Sequence, residues 1–174
     1  MGRLVERLLA LARADAEGVS LQRQATDLSA LVADQVEQTR ALAEAKGLDL
    51  VAQIAPDLAA IVDPDAVAQV VLNLLDNALM YTSSGRERLS AHLSGSGDKG
   101  QIAVSDSGPG IPTEQLPHIL DRFYRMDRAR SRELGGAGLG LAIAHELVAT
   151  HDGEITAHSV AGDVSTFTVQ LPTS

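Results

Sequence analysis

The sequence predicts an α/β fold, a two-layer sandwich in which a mixed β-sheet carries its helices on one face. Three observations point there. Candidate helices and strands follow one another in both αββ and βαβ order. Two strand candidates, near 87–93 and at 101–106, are joined by the turn segment SGSGDKG and so form a hairpin, which a purely parallel sheet lacks. The 174 residues, 45% of them hydrophobic, suffice for one core and fall short of two. With aromatics at only 2%, that core must be built from Leu, Val, Ile and Ala.

Each element has its own warrant. Residues 1–15 place Leu4, Leu8 and Leu11 at helical spacing, flanked by Val5, Leu9 and Ala12, so they predict an amphipathic helix. It opens without a helix start signal, as the end of a longer helix would, and its apolar stripe calls for a partner helix. A terminal helix packed on the same domain is the alternative. Residues 16–26 form a polar connector. Asp27 is the N-cap of a helix running to about Ala45, with Gly47 at the C′ position. The segments LDLVAQI and LAAIV, separated by Pro56, predict two strands.

Asp63-Pro64 starts the next helix, with Pro in the first turn, and Val67, Val70, Val71, Leu74, Leu75 and Ala78 form its apolar arc. Asn73 and Asn77 then fall side by side on one edge of that arc, with Met80 and Tyr81 one turn further. After the hairpin come the run SGPGIP, a short helix near 113–120 and a polar, Arg-rich loop through Gly138. A helix from about Leu139 to Thr150 and the strands EITAHS and STFTVQL complete the chain.

A net charge of −9 argues against a nucleic-acid partner, which requires a basic face. The absence of cysteine removes disulfide frameworks and thiolate metal sites. No apolar stretch approaches the roughly 20 residues that span a bilayer.

Three motifs have chemical potential. The amides of Asn73 and Asn77, one turn apart, could complete the shell of a hard cation such as Mg2+ without neutralising it; solvated or backbone-bonded asparagines are the alternative. The run Asp106-Ser107-Gly108-Pro109-Gly110-Ile111-Pro112 follows a strand directly. Its carboxylate could accept a hydrogen bond from an exocyclic amine while its glycines allow close backbone approach; a β-turn with an Asp cap is the alternative. The run Gly135-Gly136-Ala137-Gly138-Leu139-Gly140-Leu141 leads into a helix whose free N–H groups make an anion site. It lacks the Lys-Ser/Thr pair of a Walker loop and does not follow a strand. Arg122, Arg125, Arg128, Arg130 and Arg132, just upstream, could supply charge to a polyphosphate or form a solvated face.

In order, NLLDNALMYT, DSGPGIP, DRFYRMD and GGAGLGLAIA closely resemble the N, G1, F and G2 boxes of sensor histidine kinases, within the ATPase superfamily shared with gyrase, Hsp90 and MutL. The resemblance covers roughly 27–172, and residues 1–15 are similar to the end of the second helix of the family's dimerisation domain. It implies the Bergerat ATP-binding fold, with residues 27–174 as the catalytic domain and 16–26 as linker. It implies ATP and Mg2+ as cofactors, with Asn77 on the metal and Asn73 beside it near the phosphates. Asp106 would hold the adenine amine, Gly108, Gly110 and Ile111 would shape that pocket, and Tyr81 and Thr166 would lie near the base. Phe123 would anchor a lid, Arg125 would reach the terminal phosphate, and Gly136, Gly138, Leu139, Gly140 and Leu141 would wrap the phosphates.

Departures from the family's pattern are informative. Met80 stands where many members carry Lys or Arg; if nothing replaces that contact, the loss is about 1.5–3 kcal/mol. Leu120 replaces the first Phe of the F box and Ala137 the Thr or Ser of the G2 box. None of His92, His118, His145, His151 and His158 sits in the context of the family's phosphoacceptor, and each suits a surface or packing role better. The implied activity is transfer of the γ-phosphoryl of Mg-ATP to a histidine on a dimerisation domain of the same protein, then to a response regulator. The implied location is cytoplasmic, whether or not the parent protein is anchored in the membrane. Hydrolytic members of the superfamily place a Glu where this chain has Asn73, and an amide cannot act as that general base. A nucleotide-sensing module whose site is weakened by Met80 is the non-enzymatic alternative.

Overall fold

Asp27 begins the first helix, α1 (Leu28–Ala45), by accepting a hydrogen bond from the Ala30 N–H at 3.0 Å. The computed structural model describes residues 20–82, 88–124 and 138–174. The helix expected over 1–15, the lid residues 125–137, and with them Arg125 and Gly136, lie outside the described residues. The end of α1 follows its sequence signal. Gly47 has φ +72°, and the Leu48 N–H returns to the Ala43 carbonyl at 3.0 Å.

The connector over 16–26 is corrected at its end: Gln24–Asp27 form a strand, β1. β1 pairs antiparallel with β3 (Ala59–Val62) as a two-stranded sheet. Only Thr26 of its residues is buried, so β1 carries almost no hydrophobic signal and is held by backbone pairing. Of the two predicted strands, LAAIV is thus β3, whereas LDLVAQI forms β2 (Asp49–Ile54) and belongs to a different sheet.

The second helix, α2 (Pro64–Tyr81), starts as the sequence predicts, with Asp63 as N-cap and Pro64 in the first turn. Its whole apolar arc, Val67, Val70, Val71, Leu74, Leu75 and Ala78, is buried. The hairpin forms from β4 (Arg88–Ser96) and β5 (Lys99–Asp106). The helix expected near 113–120 shrinks to a single 3-10 turn over Leu116–His118. Pro117 lies inside it and has no N–H to continue a helical ladder. The third helix, α3 (Gly140–Thr150), and the strands β6 (Glu154–Val160) and β7 (Val164–Pro172) complete the order.

The main sheet has the order β2-β4-β5-β7-β6, with β2 and β4 parallel and the other pairs antiparallel. Buried residues alternate strictly along β5 and β7, which leaves one face polar and packs the other against the helices. The mixed sheet with helices on one face is therefore as the sequence predicts. Leu89, Ile102, Val104, Phe167 and Val169 from the sheet meet Val32, Leu74 and Leu75 from the helices in one core. No helix among the described residues is long and apolar enough to cross a membrane.

Asp63 also joins distant segments. Its carboxylate accepts from Ala66 N–H at 3.1 Å and from Gln22 N–H at 2.8 Å, while its own N–H donates to His151 Nε2 at 3.1 Å. His151 donates from Nδ1 to the Leu147 carbonyl at 2.7 Å, so one imidazole links the start of α2 to the end of α3. Partial burial pushes the Asp63 carboxyl up, but the backbone N–H groups donating to it outweigh that, and its pKa is lowered overall. A carboxyl with a lowered folded-state pKa stabilises the fold above its unfolded value, about 4, and that contribution vanishes as pH falls through the folded value. The gap in urea unfolding midpoint between the native chain and Asp63→Asn is therefore expected to be widest near neutrality and to close on acidification. A gap that stays constant down to strong acid would contradict this.

Candidate functional site

Asn73 sits on the side of α2 that meets the start of α3, and burial separates it from Asn77. Asn73 is 2% exposed, whereas Asn77, one turn later, is half-buried. The Asn73 Oδ1 accepts from Gln69 Nε2 at 2.9 Å, and its Nδ2 is a buried donor with no partner among the described residues. An unpaired buried donor costs about 1–3 kcal/mol, and this one is free to meet an acceptor brought by a ligand. Gln69, which orients that amide, lies one turn before Asn73, a neighbour that the helical i, i+4 spacing implies but that the motif itself does not include.

Beside this amide begins α3. A Cβ added to Gly140 would rest 3.7 Å from Asn73 Oδ1, so the helix starts against the asparagine. Leu139 occupies the N-cap without a side-chain hydrogen bond, so its side chain satisfies none of the first N–H groups of α3. Gly138 adopts φ +69°, and its carbonyl accepts the Phe123 N–H at 3.1 Å. Leu139 is buried at 1% exposure, and Leu141 is half-buried against the core.

Phe123, expected to anchor a lid, is 64% exposed with φ +63°. Its backbone joins the two sides of the 125–137 segment, while Tyr124 is the aromatic that packs on the core. Of the arginines read as a phosphate cluster, Arg122 lies 3.8 Å from Glu146 on α3. Met80 is half-buried, and the nearby ammonium of Lys46 donates to the Leu79 carbonyl at 2.6 Å.

The second wall of the site is the 106–112 loop. Asp106, the last residue of β5, is 4% exposed, and its Oδ1 accepts the Gly108 N–H at 3.0 Å in an Asx turn. Gly108 presses into the end of α2: a Cβ there would lie 2.8 Å from both Asp106 Oδ1 and the Tyr81 carbonyl. The carboxylate, the loop and the end of the asparagine helix are thus in direct contact. Gly110 has φ +68°, and a Cβ on it would collide with the Val160 carbonyl in the β6–β7 turn. The loop is fastened to that turn by Gly162 N–H donating to the Pro109 carbonyl at 2.7 Å and by Ile111 N–H donating to Ser159 Oγ at 2.7 Å.

Strand parity separates Thr166 from this group. Thr166 pairs with Ser105 across β5 and β7, their hydroxyls 2.7 Å apart on the polar face. Asp106 pairs instead with Ser165, which is 4% exposed on the helix side. The residue beside the carboxylate is therefore Ser165, not Thr166. Sequence alone leaves two adjacent hydroxyl residues to choose between, and only the β5–β7 register decides. His92, His118, His145 and His158 are exposed and His151 is packed between helices, as expected of surface and packing residues. No cluster of metal-binding acidic, His or Cys side chains occurs among the described residues, so a metal here would rely on amide and phosphate oxygens.

Comparison with known proteins agrees with this arrangement. Residues 62–174 match the family described as histidine kinase-, DNA gyrase B- and HSP90-like ATPase. The sensor histidine kinase WalK of Bacillus subtilis is 37% identical over 182 residues, an alignment that takes in 99% of this chain and 28% of that protein. The crystal structure of full-length ShkA in complex with AMPPNP superposes with a TM-score of 0.85 at 26% identity, covering 99% of this chain and 36% of ShkA. The histidine kinase ThkA, solved in complex with the response regulator TrrA, shares the fold with a TM-score of 0.81 at 22% identity, covering 99% of this chain and 48% of ThkA.

Proposed function

Since the chain belongs to the histidine kinase-, DNA gyrase B- and HSP90-like ATPase family, as a catalytic domain of the sensor histidine kinase kind, we propose that it binds Mg-ATP between α2, the 106–112 loop and the start of α3. It then delivers the γ-phosphoryl to a histidine on a dimerisation domain of the same protein. The chain spans 28% of the length of WalK, so the acceptor and the later partner are inferred from the family's chemistry. A response regulator is that later partner, a reading supported by the ThkA complex with TrrA. The cytoplasmic side of the membrane, where ATP is available, is the corresponding location.

The observation that supports this most is the buried Asn73 Nδ2, without a partner among the described residues, beside a helix start whose N-cap side chain makes no hydrogen bond. Both features favour an anion, and a phosphate chain would supply acceptors to each. At the other end, Asp106 is poised to accept from an exocyclic amine, as adenine would present. Mg2+ would be held by the Asn77 amide oxygen together with phosphate oxygens, and would offset charge on the transferred group. Asn73 would orient the phosphates by donating to them. Gly140 and Leu141 would present the backbone N–H groups of α3, with Arg125 and Gly136 of the lid expected to complete the enclosure. In the transfer, the bond from the terminal phosphorus to the ADP oxygen breaks as one to an imidazole nitrogen forms, so the domain contributes position and charge. No carboxylate stands at Asn73 to activate water, which disfavours hydrolysis.

Mixing the chain with γ-labelled ATP, Mg2+ and a separately made dimerisation domain tests the reading. Acid-labile label on that domain is the expected result. Free phosphate without protein label would favour the hydrolytic alternative, and no nucleotide binding at millimolar ATP would remove both.

A further inference from the structure

Asn73 is held from two directions. A Cβ on Gly140 would lie 3.7, 3.8 and 3.9 Å from its Oδ1, Cγ and Cβ, so the start of α3 runs along the length of the side chain. Packing of that kind sets where the amide sits but not which end points where, because the oxygen and the NH2 have nearly the same shape. Gln69, half-buried one turn earlier on α2, engages one end at 2.9 Å, and the other end has no partner among the described residues. Within the described residues, Gln69 is therefore the group that tells the two ends of Asn73 apart. Gln69 is an amide too, and two amides can pair in either sense. In one sense Asn73 turns its NH2 outward, in the other its oxygen, and in both the inner end stays paired. A ligand at the free end chooses between them. An anion selects the outward NH2, which is the arrangement observed.

We propose that Gln69 is a positioning residue of the nucleotide site: by pairing with the inner end of Asn73, it holds that amide with its NH2 toward the phosphates. The inference rests on the reading of this pocket as a nucleotide site, and Gln69 acts on the nucleotide through Asn73. A partner that could not donate would force the reverse pairing and set the Asn73 oxygen against an anion. A partner without polar atoms would leave the amide unpaired at both ends and free to turn over.

The test is a double-mutant cycle. Gln69→Met and Gln69→Glu are each made in the native chain and in Asn73→Ala, Mg-ATP affinity is read by calorimetric titration, and the side-chain NH2 of Asn73 is followed by NMR. Gln69→Met keeps an unbranched side chain without a donor, and is expected to weaken ATP binding about fivefold, the equivalent of one net hydrogen bond. The Asn73 NH2 signals should shift and broaden as the amide begins to turn over. Gln69→Glu accepts but cannot donate when ionised, so Asn73 must turn its NH2 inward, and the expected loss is about 30-fold. In Asn73→Ala, Gln69→Met should have no further effect and Gln69→Glu only the smaller effect of its charge. Losses of equal size in both backgrounds, or Asn73 signals unchanged by Gln69→Met, would overturn the proposal. Should Gln69→Met fail to fold, Gln69→Glu keeps a hydrogen bond to Asn73 and carries the same comparison. If the native chain binds no ATP, the nucleotide reading fails, and the Asn73 signals still decide whether Gln69 holds the amide.

Discussion

Asp106→Asn is expected to weaken Mg-ATP binding about 100-fold while leaving the domain folded. The carboxylate is 4% exposed and uses Oδ1 to accept the Gly108 N–H, a role that the asparagine oxygen can keep. The second carboxylate oxygen becomes an amide NH2, so an acceptor is replaced by a donor of similar shape. A hydrogen bond to a charged group contributes about 1.5–3 kcal/mol, and here its loss is joined by two donors facing each other, which places the effect at the upper end. The check is a calorimetric titration together with a thermal melt. A dissociation constant within about threefold of the native value, less than 1 kcal/mol, would remove Asp106 from the pocket.

Gly110→Ala is expected to destabilise the domain by about 2–4 kcal/mol and to abolish nucleotide binding. The left-handed backbone at φ +68° costs an alanine about 1–2 kcal/mol, and the new Cβ would strike the Val160 carbonyl and lie 2.9 Å from Ala161 Cα. The loop must then separate from the β6–β7 turn, which breaks the Gly162 to Pro109 and Ile111 to Ser159 hydrogen bonds at about 1 kcal/mol each. Gly97→Ala is the control. Its φ is +61°, nothing lies within 4 Å of the added carbon, and it should cost only the backbone strain and leave binding intact. Urea unfolding of both variants decides between them; equal losses would mean that packing against the turn is irrelevant.

Local signals in the sequence proved sufficient for α1 and α2, though not for the segment near 113–120. Asp27, Gly47 and the Asp63-Pro64 pair set the limits of α1 and α2 because caps act within one turn. What could not be read depends on partners far along the chain. β1 is polar and exists through pairing with Ala59–Val62. The placement of Ser165 rather than Thr166 beside Asp106 needs the β5–β7 register, which joins strands more than fifty residues apart. The same holds for the docking of the 106–112 loop on the β6–β7 turn: glycines in the loop signal a tight backbone without saying what it is tight against. The orphaned Asn73 amide is a property of packing, since spacing alone places both asparagines on one edge without telling which is sealed from water.

The strand order has a consequence for how the polypeptide leaves the ribosome. β7 lies between β5 and β6, and β6 has no other partner in the sheet. Until β7 has been synthesised, β5 shows an open edge and β6 has nothing to pair with, so the layer that buries Phe167, Val169 and Leu171 cannot close. Pairings of such long sequence separation form late and slowly. The edge of β5 therefore stays open from the completion of the β4–β5 hairpin until β7 emerges, and the fastening of the 106–112 loop to the β6–β7 turn comes only with that late closure.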